Sequence, residues 1–187
     1  MTGLSNAEAA LLGLLSEGPM HPYKIEQEVK FRDMRFWTEL SMSSIYKLLR
    51  RLEKNGMVLR RDRVSPENRL RKTYSISAKG KSALGKKVEA LLSVVEHTRW
   101  PIDIGIYNGH VLPFTLLQKA LKRYRAALEK KVESYRNLLQ FLQNAGCPPY
   151  RFGVATRPAF LLEAEMRWVD AYLHELEEIS ISEEGKQ

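Results

Sequence analysis

The sequence predicts a mainly α-helical protein with one small β-hairpin, divided into two domains at residues 1–96 and 97–187. Three observations carry this. Short amphipathic segments follow one another before residue 57. Between 57 and 76 the period changes to that of two short strands around a turn. From 113 to 144 apolar residues recur every seven positions, the spacing of long packed helices.

Taken in order, Ser5 followed by Glu8 fits a capping box, and the apolar run from Ala7 to Leu15 stops at Gly18-Pro19. That first helix is apolar nearly all round and so must be buried. A second helix starts at Pro22, where the missing N–H costs nothing, and runs to Phe31. The linker RFWTELSM leads to a third helix that ends at Asn55-Gly56. MVLRRDRV and RKTYSI are rich in β-branched and basic residues, and SPEN between them is turn chemistry, giving a hairpin over 57–76. Ser77 caps a fourth helix with Leu84, Val88, Leu91, Leu92 and Val95 at helical spacing, and Gly80 and Gly85 weaken its first turns. Residues 98–112 are apolar and aromatic but interrupted by Pro and Gly, and their pattern does not choose between a short helix and a loop.

From Pro113 to Asn144, Leu121, Leu128, Tyr135 and Leu142 form the heptad series, with Leu117, Tyr124 and Leu138 on the complementary register and a break at Lys131. Gly146 to Pro149 ends that helix. A last helix is expected from Pro158 to about Ile179, carrying Leu162, Val169 and Leu176 on one register and Met166 and Leu173 on the other. The Pro-rich turn between them makes an antiparallel, coiled-coil-like pair. Residues 113–144 carry seven cations against Glu129 and Glu133, whereas 155–187 carry eight acids against Arg157, Arg167 and Lys186, so the two helices are complementary in sign. Their apolar positions offer more stripe than one antiparallel pair buries, which predicts dimerisation through them.

A chain of 187 residues, 44% hydrophobic and 28% charged, has the composition of a folded protein. Its net charge of +8 is uneven: residues 1–90 hold 18 Lys and Arg against 10 Asp and Glu, and 91–187 hold 12 of each. A basic half beside a neutral half points to a polyanionic partner for the former. No apolar run approaches the ~20 residues needed to span a bilayer, and no signal-peptide core is present, so a cytoplasmic protein without membrane contact is expected. Cys147, the only cysteine, excludes an intrachain disulfide, and its neighbours Gly146 and Pro148 supply no cation to activate it as a redox thiol.

The third helix lies in SMSSIYKLLRRLEKNG, residues 41–56. At about 100° per residue, Ser43, Tyr46, Lys47, Arg50 and Lys54 take one side, and Ile45, Leu48, Leu49 and Leu52 the other. A merely solvated face usually mixes signs, yet the one acid here, Glu53, lies off the centre of the stripe. Hydroxyls and cations together suit phosphates and base edges. Over 47–72, helix and hairpin hold ten basic residues against three acids. Two core helices, a basic third helix and a basic hairpin follow the order of a winged helix-turn-helix, whose third helix enters the major groove of double-stranded DNA while the hairpin reaches phosphates. The candidate DNA contacts are Ser43, Ser44, Tyr46, Lys47, Arg50, Arg51 and Lys54 on the helix, with Arg69, Arg71 and Lys72 on the hairpin.

Three stretches, AEAALLGLLSEGPMHPYKI, SSIYKLLRRLEKNGMV and KTYSISAKG, resemble the PadR-like transcriptional regulators, in family order and over roughly residues 1–90. The helical C-terminal part looks like the subgroup that carries a sizeable dimerisation domain. The resemblance implies a homodimeric regulator, here expected to be a repressor, on an inverted-repeat operator and in some members released by a small molecule. Tyr46 matches the tyrosine of the family's recognition helix, Lys47 the position after it, and Arg51 the basic position before Leu52. The chain departs at Pro22, where Gly is common, and at Ser43-Ser44, where Gly-Thr is frequent, so the operator sequence does not carry over.

The rival reading is a winged helix serving RNA or protein contacts without operator-specific DNA binding. Ser43 and Arg50 do not exclude it; long dimer helices argue against it, because a two-fold protein suits two half-sites. An enzyme is not expected. His21, His97, His110 and His174 lack ligand spacing, no Gly-rich phosphate loop or nucleophile motif occurs, and the pairs Glu163/Glu165 and Glu177/Glu178 resemble a solvated face. No catalytic residue, metal or cofactor is therefore assigned. Trp100, Tyr107, Trp168 and Tyr172 form an aromatic set that an effector, phenolic by the resemblance, would touch; core packing is the role expected of them.

Overall fold

The computed structural model describes residues 3–64 and 70–184, and only the backbone at 63, 64, 70, 71 and 180–184. The chain divides into two compact units, Met1–His97 and Thr98–Gln187.

In the first unit, α1 spans Asn6–Ser16 under the expected capping box: the Glu8 amide donates to Ser5 Oγ at 3.2 Å and the Ser5 amide to Glu8 Oε2 at 2.9 Å. Leu11, Leu12, Leu14 and Leu15 are all buried, because helices and strand pack on several sides of α1. Helix α2, Pro22–Phe31, is capped by His21, whose Nδ1 accepts the Lys24 amide at 3.0 Å. A single 3-10 turn at Met34–Phe36 leads to α3, Met42–Lys54. Strands β1 (Val58–Val64) and β2 (Leu70–Ile76) pair antiparallel, with Arg60 opposite Tyr74. The SPEN turn and Arg69 lie outside the described residues. Met20, in the loop between α1 and α2, exchanges two backbone hydrogen bonds of 2.9 Å with Tyr74 and ties that loop to β2.

Helix α4, Ala78–Ser93, starts at Ser77, which caps Gly80 N–H at 3.0 Å and donates to the Gly56 carbonyl at 2.7 Å. Gly80 is required there by space, since a Cβ would lie 2.1 Å from the Met57 carbonyl oxygen. The helix stops short of Val95, contrary to the periodicity: Val94 is extended, and Leu92, Val94 and Val95 are exposed. Ile25, Val29, Leu40, Ile45, Leu49, Leu52 and Val58 complete the core around α1.

In the second unit, the ambiguous stretch is helical, with α5 at Pro101–Tyr107 and a 3-10 turn at Gly109–Val111. Two long antiparallel helices follow, α6 (Phe114–Asn144) and α7 (Pro149–Glu184). Helix α7 begins at Pro149, well before the expected Pro158. Pro158 sits inside the helix, without an N–H to give. Leu121, Leu128, Val169 and Leu173 form the seam, with Leu117, Tyr124, Leu162, Met166, Tyr172 and Leu176 against it.

The heptad reading fails after Leu128. Val132 is 2% exposed while Leu138, its expected neighbour in the seam, is 41% exposed. Leu117 to Leu128, Leu121 to Val132 and Tyr124 to Tyr135 are steps of 11 residues, closer to the natural turn of the helix than steps of seven, so the break at Lys131 is a drift of the buried stripe to Val132. The opposite charges meet within the chain: Arg125 and Asp170 at 2.9 Å, Arg136 and Glu163 at 3.2 Å, Lys122 and Glu177 at 3.6 Å. Such exposed pairs contribute only ~0–1 kcal/mol each, so the apolar seam dominates.

Of the four aromatic residues, Tyr172 packs against the seam and the other three do not fill a core. Trp100, Tyr107 and Trp168 are exposed, and Tyr172 stacks on Trp168 with ring centroids 5.4 Å apart. Two helices share a single seam, and side chains about a quarter-turn away from it remain uncovered. On α7, Leu161, Trp168, Tyr172 and Ile179 fall within about 40° of one line, a second apolar stripe beside the seam.

Candidate nucleic-acid interface

Helix α3 gains its orientation from both ends and one side. Ser41 caps it: the Ser44 amide donates to Ser41 Oγ at 3.2 Å, and Ser44 Oγ accepts the Ser41 amide at 2.7 Å while contacting the Ser41 carbonyl at 2.8 Å. At the other end Lys79 Nζ donates to the Asn55 carbonyl at 2.8 Å. Ile45, Leu49 and Leu52 bury the inner side. Ser43, Tyr46, Lys47, Arg50 and Lys54 are left exposed on the outer side, and Lys47, Arg50 and Lys54 form no ion pair among the described residues.

Three of the candidate contacts have partners within the chain, the first being the Ser43 hydroxyl, 3.1 Å from Ser41 Oγ. The Ser44 hydroxyl is occupied by the capping box. Arg51 lies at the edge of the stripe, and its guanidinium turns to Glu8, with Nε 2.7 Å and Nη2 2.8 Å from the carboxylate oxygens. Glu8 is only 2% exposed, so this pair ties α3 to the capped start of α1. On the hairpin, Lys72 is exposed. Arg69 lies outside the described residues, and of Arg71 only the backbone is described. Arg60 pairs with Asp62 at 3.0 Å; that hydrogen bond holds the Asp62 carboxyl below its ordinary range and the guanidinium above its own.

Between the start of α2, the outer face of α3 and β2 opens a cleft of about 550 Å³, lined by His21, Tyr23, Tyr46, Arg50, Lys72 and Tyr74. The rings of His21 and Tyr23 stack at 6.4 Å. Tyr74 is buried, and burial is the main cause that pushes its phenol above the ordinary tyrosine range. Sequence reasoning missed His21, Tyr23 and Tyr74 as site residues. His21 and Tyr23 stood in a quoted motif, but only the Met20–Tyr74 bridge brings them to β2. Among the described residues no group of His, Cys, Asp and Glu could hold a metal, and no helix is long and apolar enough to cross a membrane.

The positions expected to dimerise mostly close the seam within one chain. Leu117, Leu121, Tyr124, Leu128, Leu162, Met166, Val169, Leu173 and Leu176 pack between α6 and α7, Tyr135 and Leu142 are half-buried, and Leu138 is exposed.

Residues 11–86 match the Transcriptional regulator PadR-like family. Among solved structures, the chain is similar to Bacillus subtilis PadR in complex with operator DNA, with a TM-score of 0.75 and 19% identity over 90% of this chain and 98% of that one. The same protein in complex with p-coumaric acid gives 0.75 and 19% over 91% and 94%. The Vibrio cholerae virulence activator AphA gives 0.64 and 19% over 93% and 99%. No curated protein matches the chain in sequence. At these identities the structural likeness is one of fold, and the match to the family is confined to residues 11–86, less than half of the chain. Over its winged helix, residues 11–86, the chain is similar to the PadR-like family of transcriptional regulators.

Proposed function

We propose that this protein is a homodimeric, operator-specific DNA-binding regulator that represses transcription from an inverted repeat and is released by a small molecule. The observation that carries the reading is the outer face of α3, where Ser43, Tyr46, Lys47, Arg50 and Lys54 stand exposed without an acid at their centre, beside the basic hairpin. Tyr46 and Ser43, near the helix N-terminus, are assigned to base edges. Lys47, Arg50, Lys54 and Lys72, with Arg69 and Arg71, are assigned to the phosphates.

One such helix reads only a short half-site, so a second copy is needed for tight, selective binding. The exposed residues of the second stripe of α7, Leu161, Trp168 and Ile179, together with Leu138, supply apolar surface for that copy, since the first stripe is spent on α6. For the release step, support comes from the likeness of fold to Bacillus subtilis PadR, whose complex with p-coumaric acid has been solved. The exposed rings of Trp100, Tyr107 and Trp168 offer faces on which a phenolic ring stacks.

The test is titration of the intact chain against a selected duplex, a scrambled one, and one with about half a turn inserted between half-sites. Half-sites of the dimer are expected about 34 Å apart, so the insertion should abolish tight binding, and Tyr46→Ala should cost ~1–3 kcal/mol and relax discrimination. Equal affinity for all three duplexes, or a monomer by light scattering at micromolar concentration, would sink the reading.

A further inference from the structure

We infer that the cleft between the start of α2, the outer face of α3 and strand β2 holds one phosphodiester group of a nucleic-acid strand, with the Tyr74 hydroxyl as a donor at its floor. This rests on the DNA-binding reading above and extends it to residues that no motif marked. Tyr23, Tyr46, Tyr74, Arg50 and Lys72 all belong to the lining, and among the described residues no Asp or Glu does. A site rich in donors and cations and lacking carboxylates selects an anion. Glu53 and Asp62 act on Tyr74 electrostatically, but neither lines the cleft and Asp62 is held by Arg60.

Tyr74 singles out the site. As a residue it is 5% exposed, yet its hydroxyl makes no hydrogen bond among the described residues and is not sealed from solvent, which leaves it available to donate into the cleft. The side chain has little freedom to look elsewhere. Its backbone is pinned by Met20 on one side and registered opposite Arg60 on the other. Burial also keeps the phenol protonated, hence a donor, at neutral pH. The cleft is roomier than one phosphate needs, and the stacked rings of His21 and Tyr23 give it an aromatic wall suited to the sugars that flank a diester.

The experiment uses the full chain and its selected duplex, with single phosphates replaced in turn by neutral methylphosphonates. At one phosphate in each half-site the wild type should lose about tenfold in affinity, the scale of one hydrogen bond to a charged group. Tyr74→Phe should lose about as much on the unmodified duplex and nothing further on the duplex altered at that phosphate. Its salt dependence should stay as in the wild type, because no charge is removed, whereas Lys72→Gln should lower the slope by about one. The hydroxyl has no intramolecular partner, so Tyr74→Phe should melt like the parent. Wild-type affinity in Tyr74→Phe, or losses that simply add at every phosphate, would overturn the cleft assignment and leave the DNA reading intact. Saturable binding of inorganic phosphate that depends on Tyr74 and displaces no duplex would overturn it in favour of a free anion. A parent chain that prefers no duplex would remove both readings together.

Discussion

Replacing Arg51 by Met should destabilise the first unit by about 2 kcal/mol and leave DNA binding nearly as it was. Breaking a fully buried ion pair from one side costs ~3–5 kcal/mol. Here the arginine side chain is 55% exposed, so less of its charge was desolvated to begin with. The carboxylate of Glu8 also keeps two donors, the Ser5 amide at 2.9 Å and the Ser5 hydroxyl at 3.0 Å. What is lost is therefore close to one hydrogen bond between charged groups, ~1.5–3 kcal/mol. Glu8→Gln retains the reach of a capping-box side chain and should cost about 1 kcal/mol. The double variant should fall short of the sum, since each change removes the same interaction. Urea unfolding of the full chain, with amide exchange in α1 and α3 to report the first unit, measures all three. Arg50→Met is the control. It lies one residue away, forms no ion pair among the described residues, and should change stability by less than ~0.5 kcal/mol while weakening DNA binding. Native stability in Arg51→Met, joined to a loss of affinity like that of Arg50→Met, would refute the reasoning and return Arg51 to the DNA.

Two further outcomes follow from packing and titration. Gly80→Ala should lower the melting temperature, at a cost of ~1–3 kcal/mol from overpacking, because the new Cβ meets the Met57 carbonyl, which belongs to the backbone and cannot step aside; Gly85→Ala, with nothing within 4 Å, should instead gain a few tenths to ~1 kcal/mol from helix propensity. Equal shifts in calorimetry would contradict this. Tyr74 and Tyr124 are both pushed above the ordinary tyrosine range, chiefly by burial and, for Tyr124, next by the charge of Glu165 and its hydrogen bond. The folded state thus holds these protons more tightly than the unfolded one: their contribution is complete below the unfolded value near 10 and is lost as pH rises through the higher folded values. Melting temperatures should fall more steeply above about pH 10 in the parent than in a Tyr74→Phe/Tyr124→Phe double variant, and identical alkaline limbs would disprove it.

The short helices of the first unit were legible because each has its own local punctuation. Ser5 with Glu8, Pro22 after His21, and Asn55 before Gly56 act within a turn of where they stand, so the boundaries of α1, α2 and α3 needed no tertiary knowledge. The second unit depends on how far a helix drifts over many turns. Seven-residue counting holds from Leu121 to Leu128, but on the other register it steps from Tyr124 through Lys131 to Leu138 and passes over Val132, because the difference between repeats of seven and 11 shows only when a partner helix selects the buried side. Pro158 misled for a related reason: a proline inside a helix and one at its start look alike until the preceding residues find a surface to pack on. In the candidate interface, exposure of the α3 stripe followed from periodicity. The diversion of Arg51 to a carboxylate 43 residues away and the convergence of His21, Tyr23 and Tyr74 are matters of three-dimensional pairing that no spacing rule contains.

A hairpin of only two strands has two open edges, and an open edge invites another chain to add a strand. The loop carrying Met20 closes the middle of one of them by taking both main-chain groups of Tyr74. It is also a poor template for further growth. Pro19 immediately before the bridge and Pro22 shortly after it have no N–H to donate, so the loop cannot lengthen into a third strand that would itself need covering. A surface rich in β-branched and basic residues would otherwise be exposed to sheet-to-sheet association whenever its nucleic acid was absent. The two prolines and one methionine make that basic ribbon safe to leave bare in the unliganded protein.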